Sequence, residues 1–143
     1  MKLVLAGVLD DNLVAAAGDS AEGTITFTHY TPHSDYATNV KFVNDYKARF
    51  GTLPTPWSVD GYLSAKAIGE AIKATDGKIE EKAEFVAAMQ NVDFDSPRGR
   101  IKFDKNGLTE VEVFMMKVER VDGNLRVNPG PSIGVYDSEG PVR

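Results

Sequence analysis

Three aspartates near the middle of the sequence are of the residue type that acid–base chemistry uses. Asp93, Asp95 and Asp104 lie in NVDFDSPRGRIKFDKNG, residues 91–107. Paired carboxylates can act as general acid and general base, and clustered oxygen atoms can bind a metal ion. An enzyme that used these acids would need them to converge in one pocket.

The local pattern around these acids predicts two turns and a strand. In SPRG, Pro97 suits the second position of a tight turn, and Gly99 tolerates the unusual dihedral angles that end it. FDKNG is a second turn, and between the turns Ile101 alternates with Arg100 and Lys102, as in a half-buried strand. The oxygen atoms do not have the spacing of a calcium loop. The stretch is therefore predicted to be structural.

Two histidines are spaced as zinc ligands on a helix would be. His29 and His33 are four residues apart in HYTPH, but Pro32 breaks the helical hydrogen bonding that would align them, and no Glu follows. The chain has no cysteine, P-loop, G-x-S-x-G or G-x-G-x-x-G. We predict no metal site, no cofactor and no enzymatic activity.

Composition limits the class of protein. The chain has 143 residues, 42% of them apolar, which suits one folded domain. Its longest apolar runs, LVLAGVL and VFMM, are far shorter than the roughly 20 residues that cross a bilayer. The net charge is −5 and the basic residues are scattered, so a nucleic acid partner is not expected.

The order of predicted elements indicates an α/β fold. KLVLAGV is a continuous apolar run, typical of a parallel strand buried on both faces, and GTITFTHY is a second strand. Between them, Asp10 or Asp11 can cap a short helix that ends at Gly18. Three helices follow, at about residues 36–50, 58–75 and 80–90, the first ended by Gly51 and the second by Asp76-Gly77. The second helix is predicted to carry one apolar stripe, made of Val59, Tyr62, Leu63, Ala67, Ile68, Ala71 and Ile72. The last of the strands form a β-hairpin with its turn at Asp122-Gly123.

Trp57 stands where the stiff segment LPTP meets a helix. A lone tryptophan often packs in a core. At a junction between a loop and a helix, it can instead line a ligand cleft. The pattern alone favours neither interpretation.

The sequence resembles the branched-chain-amino-acid type, or type I, periplasmic substrate-binding proteins of ABC transporters. The stretches that carry the resemblance are GDSAEGTITFTHYTP, FVNDYKARFGTLPTPWSVDGYLSAKAIGEAIKATDG, AAMQNVDFDSPRGRIKFDKNG and VERVDGNL. They follow one another in the order found in the family. In that family the SPRG stretch is a structural turn that leads into a strand.

The resemblance implies part of a doubly wound, three-layer fold made of two lobes. Family members are more than twice as long, and only their C-terminal portion is matched, so we expect a fragment. Residues 1–30 would belong to the second lobe, 31–104 to the first, and 105–143 would return to the second. A hinge is expected near Thr28 to Pro32.

The resemblance also implies a function. The two lobes would close around a small amino acid or an aromatic or other carboxylic acid in the periplasm, and present it to an ABC permease. Trp57 matches a ligand-facing aromatic position, and Ala6, Gly7 and Val8 match a ligand-facing loop. Some amino-acid binders place an acid in that loop for the ligand ammonium; here the loop is AGVLDD, and its nearest carboxylate is Asp10.

Two other functional classes remain open, and the isolated chain raises a further expectation. One alternative is an α/β enzyme fragment that uses Asp93, Asp95 or Asp104. The other is an assembly module that binds no small molecule. Because few elements are available to cover the two apolar strands, we expect the isolated chain to bind ligand weakly and to form a homodimer or higher oligomer.

Overall fold

The structure is a computed structural model that describes residues 3–142. The elements within this range are, in order, β1 (Val4–Ala6), α1 (Asp11–Ala17), a short 3-10 helix (Gly18–Ala21), β2 (Ile25–Thr28), α2 (Ala37–Phe50), α3 (Pro56–Ala74), α4 (Lys82–Gln90), β3 (Asp93–Ser96), β4 (Gly99–Lys102), β5 (Val111–Val121), β6 (Asn124–Asn128), β7 (Ser132–Asp137) and β8 (Gly140–Pro141). The predicted α/β class is confirmed.

The larger sheet is mixed and has a parallel edge. Its strand order is β1-β2-β5-β7-β8, with β6 paired to β5. β1 is parallel to β2, which confirms the predicted βαβ unit, and β2 is antiparallel to β5. The long strand β5 therefore joins the beginning of the chain to its end.

β1 is not buried, contrary to the prediction from its apolar sequence. It lies at the edge of the sheet and pairs with β2. Leu3, Val4 and Leu5 are all exposed, Val4 to 56%. An apolar strand is buried only when other elements cover both of its faces, and residues 3–142 leave these side chains open to solvent.

The two predicted turns and the hairpin are confirmed. Ser96 pairs with Gly99 across the β3–β4 connection, so Pro97 and Arg98 form a two-residue turn. Asp122 and Gly123 connect β5 to β6 with positive φ angles of 50° and 81°. Positive φ at both central residues defines the turn type that best matches the twist of paired strands.

Helix α3 presents two apolar faces, where the sequence predicted one stripe. Val59, Leu63, Ala67 and Ala71 are buried. Tyr62, Ile68 and Ile72, predicted as members of the same stripe, are exposed instead. At 3.6 residues per turn, Ile68 and Ile72 lie on a different face from the buried set, together with Trp57.

The buried side chains form separate clusters on either side of the connection at residues 29–36. Under the large sheet, Val14 of α1 packs with Met116, Val118 and Val127. In the helical part, α3 packs against the β3–β4 hairpin in one cluster and against α4 in another. Among residues 3–142, no helix is both long enough and apolar enough to span a membrane.

Candidate ligand-binding site

Trp57 lies at the start of α3, where hydrogen bonds hold the helix N-terminus, and its ring is exposed to solvent. Thr55 caps α3, and Thr55 and Ser58 form a reciprocal capping box. The Ser58 hydroxyl also lies 3.0 Å from the Tyr46 hydroxyl, which ties α3 to α2. Pro56 is buried, whereas Trp57 is 67% exposed. The tryptophan is therefore a surface group on a rigid base, not a core residue.

The loop after β1 is held by one hydrogen bond to the neighbouring strand. The Thr26 hydroxyl donates to the Gly7 carbonyl at 2.9 Å. Ala6 and Gly7 are exposed, and Val8 is half-buried. Gly7 has φ 147°, a backbone conformation that side chains rarely adopt, so a residue other than glycine would be strained there.

Asp10 caps α1 and faces the loop that precedes Trp57. Its Oδ1 accepts a hydrogen bond of 2.9 Å from the Leu13 amide. A cavity of about 170 Å³ has Asp10 on one side and residues 52–55 on the other. The structure thus brings Asp10 close to the base of Trp57. Trp57 and the residues Ala6, Gly7 and Val8 do not line this cavity.

Sequence reasoning missed the structural role of Asp11 and His33. Asp11 Oδ2 lies 2.6 Å from His33 Nε2, and Asp11 Oδ1 accepts from the Val127 amide at 2.9 Å. One carboxylate oxygen therefore fastens the connection at residues 29–36 to α1, and the other fastens α1 to β6. No short-range pattern could have paired residues 22 and 116 positions apart.

The two histidines do not form a metal site together. His33 contacts Asp11, whereas His29 lies 3.6 Å from Asp60 of α3. Within residues 3–142, no group of three or more His, Cys, Asp or Glu side chains is arranged to hold a metal ion.

The three aspartates named first in the sequence serve different parts of the structure. Asp93 forms an ion pair with Arg100, with a 2.7 Å contact. Asp104 accepts hydrogen bonds from the amides of Asn106, Leu108 and Ser138. The Ser138 hydroxyl, together with these amides, holds the pKa of the Asp104 carboxyl well below its usual value. Asp95 lines a different cavity from Asp93, and Asp104 lines neither.

A larger cavity of about 580 Å³ lies between α2 and α3. Aromatic rings form much of its wall: the Phe42 and Tyr62 centroids are 4.9 Å apart, and those of Tyr46 and Phe50 are 4.5 Å apart. None of the residues predicted to bind ligand lines this cavity.

The fold and the position of these loops define a class of protein. Asp10 and the loop at residues 52–55 face each other across the cavity at Asp10, and ligand sites occur preferentially where separately packed parts meet. A family model described as periplasmic binding protein matches residues 1–124, and the chain belongs to that family. The resemblance read from the sequence is confirmed.

Individual relatives agree with this assignment. Leu/Ile/Val-binding protein homolog 6 from Brucella abortus is 29% identical over 130 residues, which cover 87% of this chain and 32% of the relative. An ABC transporter substrate-binding protein from Sphaerobacter thermophilus is 28% identical with a TM-score of 0.84, covering 90% of this chain and 35% of that one.

A third relative has a known ligand. The solute-binding protein of an ABC transporter from Rhodopseudomonas palustris BisB5, solved in complex with 3,4-dihydroxybenzoic acid, is 34% identical with a TM-score of 0.76. The match covers 90% of this chain and 35% of that one. The chain thus spans about a third of the length of the relatives it matches.

Proposed function

We propose that this chain is part of a periplasmic solute-binding protein that captures a small carboxylic acid between two lobes and delivers it to an ABC permease. The observation that carries the proposal is the family match over residues 1–124. The 34% identity to the protein that holds 3,4-dihydroxybenzoic acid supports an acid ligand.

The lobes are proposed to divide the chain as the resemblance implies. Residues 1–30 and 105–143 form the sheet part, and residues 31–104 form the helical part. The separate hydrophobic clusters of the two parts support this division. The connection at residues 29–36 would then be one of the chain segments that form the hinge.

Trp57 and the loop after β1 are proposed as the ligand contacts of this chain. Trp57 offers an uncovered aromatic face from a capped helix, which suits stacking on a ring. Ala6, Gly7 and Val8 offer backbone groups from the opposite part. Asp10 lies where these two parts approach each other.

The carboxylates of Asp10 and Asp11 already make contacts within the fold, and this favours an aromatic acid over an amino acid as the ligand. The ammonium group of an amino acid ligand is bound most strongly by a carboxylate with both oxygens available. Asp11 uses both oxygens in the fold, and Asp10 uses one to cap α1. A ligand without an amine does not depend on such a carboxylate, so we assign the site to benzoate-like acids, with amino acids as the alternative.

The rival classes have less support. An enzyme that used Asp93, Asp95 and Asp104 would need one shared pocket, and these residues line different surfaces. An assembly module predicts no response to small molecules.

A chimera tests the proposed function. This chain would replace the segment that it matches in the Rhodopseudomonas palustris BisB5 protein, and calorimetry would measure binding of 3,4-dihydroxybenzoic acid, benzoate and leucine. We expect the aromatic acids to bind at least tenfold more tightly than leucine. A folded chimera that binds none of the three would favour the assembly module, and chemical conversion of a ligand would favour an enzyme.

A further inference from the structure

A small cavity lies where the connection between the two parts meets the β3–β4 turn and strand β5. We call it the crossover pocket. Its volume is about 110 Å³, and its wall includes His29, Tyr30, Arg98, Phe114 and Met116. It shares no lining residue with the cavity at Asp10, and none of Trp57, Ala6, Gly7 and Val8 lines it.

Three of the residues that line the crossover pocket each carry a buried polar atom with no hydrogen-bond partner within residues 3–142. These atoms are His29 Nε2, the Tyr30 hydroxyl and Arg98 Nε. Tyr30 is only 3% exposed, so solvent does not readily reach its hydroxyl. Buried polar groups are normally paired, and each exception requires an explanation.

Arg98 is the strongest of these three cases. Its side chain is 12% exposed, and its closest carboxylate oxygen, Asp60 Oδ1, lies 3.7 Å from Nη1, beyond hydrogen-bond distance. Burial lowers the pKa of Arg98, but a guanidinium remains charged at neutral pH. Asp60 offsets part of the Arg98 charge, but Arg98 Nε donates to no acceptor among residues 3–142, so this atom can donate to an anionic partner.

The other groups around the pocket narrow the choice of partner. Burial, and then the charge of Arg98, lower the pKa of His29, so this ring is neutral at pH 7. Asp35 lines the pocket and Asp60 lies beside it. Two nearby carboxylates repel a dianion such as sulfate more strongly than they repel a monoanion.

We propose that the crossover pocket binds a small monocarboxylate of about the size of acetate. Arg98 Nε and the Tyr30 hydroxyl donate hydrogen bonds to its oxygens, and Phe114 and Met116 contact its carbon end. One water occupies about 30 Å³ in the liquid, so the pocket has room for a group of about four heavy atoms. The bound anion would connect the β3–β4 turn to the chain between the two parts.

The test is a titration of the 143-residue chain with sodium acetate at pH 7, with sodium chloride as the ionic-strength control and sodium sulfate as the dianion. Calorimetry and thermal unfolding are the readouts. We expect acetate to raise the melting temperature and sulfate to act no differently from chloride. Arg98→Met should weaken acetate binding at least about tenfold and Tyr30→Phe several-fold. Arg100→Met, which removes an exposed arginine paired with Asp93, should change it less than twofold.

Tyr30→Phe keeps the test decisive if Arg98→Met does not fold, because it removes only a hydroxyl that has no partner. Saturation transfer from acetate to the Met116 methyl group would place the anion in the pocket. If acetate acts no differently from chloride, the pocket holds water alone and the proposal is wrong. Acetate binding that survives both substitutions would also overturn it.

Discussion

Trp57 has a fixed backbone and a free ring, a combination that suits recognition of an aromatic ligand. In the chimera, we predict that Trp57→Ala weakens binding of 3,4-dihydroxybenzoic acid about tenfold to a hundredfold, since truncating a central aromatic contact typically costs about 1–3 kcal/mol. The melting temperature should hardly change, because the ring is 67% exposed. Calorimetry and thermal unfolding measure the two effects.

Two control variants belong with the Trp57 experiment. Trp57→Phe keeps an aromatic face and should retain most of the affinity. Replacing Asp93, Asp95 and Asp104 together by Asn should leave affinity intact, because these side chains lie outside the proposed cleft. The assignment of the site is wrong if the triple variant loses binding while Trp57→Ala retains it.

Asp104 stabilises a turn through its charge. The Ser138 hydroxyl and three backbone amides interact with its carboxylate and depress its pKa. A depressed pKa contributes stability above the unfolded-state pKa, near 4, and this contribution is lost as the pH falls through the folded-state pKa. We predict that Asp104→Asn lowers the melting temperature at pH 7, and that the difference from the parent chain shrinks below about pH 4.

Asp95→Asn is the matched control for Asp104, because Asp95 is an exposed carboxylate two residues before the β3–β4 turn. It should melt at nearly the parental temperature at pH 7. Equal melting of the Asp104→Asn variant and the parent at pH 7 would show that the turn does not need the carboxylate.

At the scale of single elements, the β5–β6 turn favours glycine because of its backbone conformation, not because a side chain would lack room. Gly123 has φ 81°, and a Cβ added there meets no atom within 4 Å. We predict that Gly123→Ala destabilises the chain by about 1–2 kcal/mol, the cost of a left-handed conformation for an L-residue. A shifted midpoint in urea unfolding would measure it.

Gly69 in α3 is the counterpart of Gly123. A Cβ there also meets no atom within 4 Å, but its backbone is helical. Gly69→Ala should therefore stabilise the chain by about 0.5–1 kcal/mol. If both substitutions shifted the midpoint in the same direction, the φ argument would not hold.

At the scale of the whole molecule, the apolar surfaces most relevant to association are on two elements. One is the edge strand β1, with Val4 exposed, and the other is the outer face of α3, with Ile68 and Ile72 exposed. Exposed edge strands invite pairing with another chain. We predict that the 143-residue chain sediments as a dimer or higher oligomer at micromolar concentration and binds ligand weakly on its own.

Charged substitutions identify the surface that associates. Val4→Lys should shift the chain toward monomer, because lysine on an edge strand opposes pairing. Leu108→Lys, at an exposed loop position, should leave the association unchanged. A parental chain that sediments as a monomer and melts cooperatively would contradict the prediction.

Much of the local structure follows from the sequence. Gly51 ends α2 with φ 74°, and Asp76 and Gly77 follow α3 with positive φ, as their residue types predict. Each of these ends is set by interactions among a few neighbouring residues. The family was also predictable, because motifs of specific spacing follow one another along nearly the whole chain.

Long-range placement was not predictable in the same way. The apolar sequence of β1 correctly predicted a strand, but its exposure depends on which elements lie over it. The stripe on α3 divides into a buried and an exposed face for the same reason. The pairing of Asp11 with His33 and with Val127 also depends on how distant segments are packed.

The sequence by itself determined the turns, the helix ends, the α/β class and the family, because short-range sterics and characteristic motifs specify them. Only the tertiary structure decided that Asp10 faces the loop before Trp57 and that both carboxylate oxygens of Asp11 make contacts within the fold. It also decided that Arg98 Nε is buried without a hydrogen-bond acceptor among residues 3–142. These features arise where segments far apart in the chain meet, and burial there depends on the packing of the whole molecule.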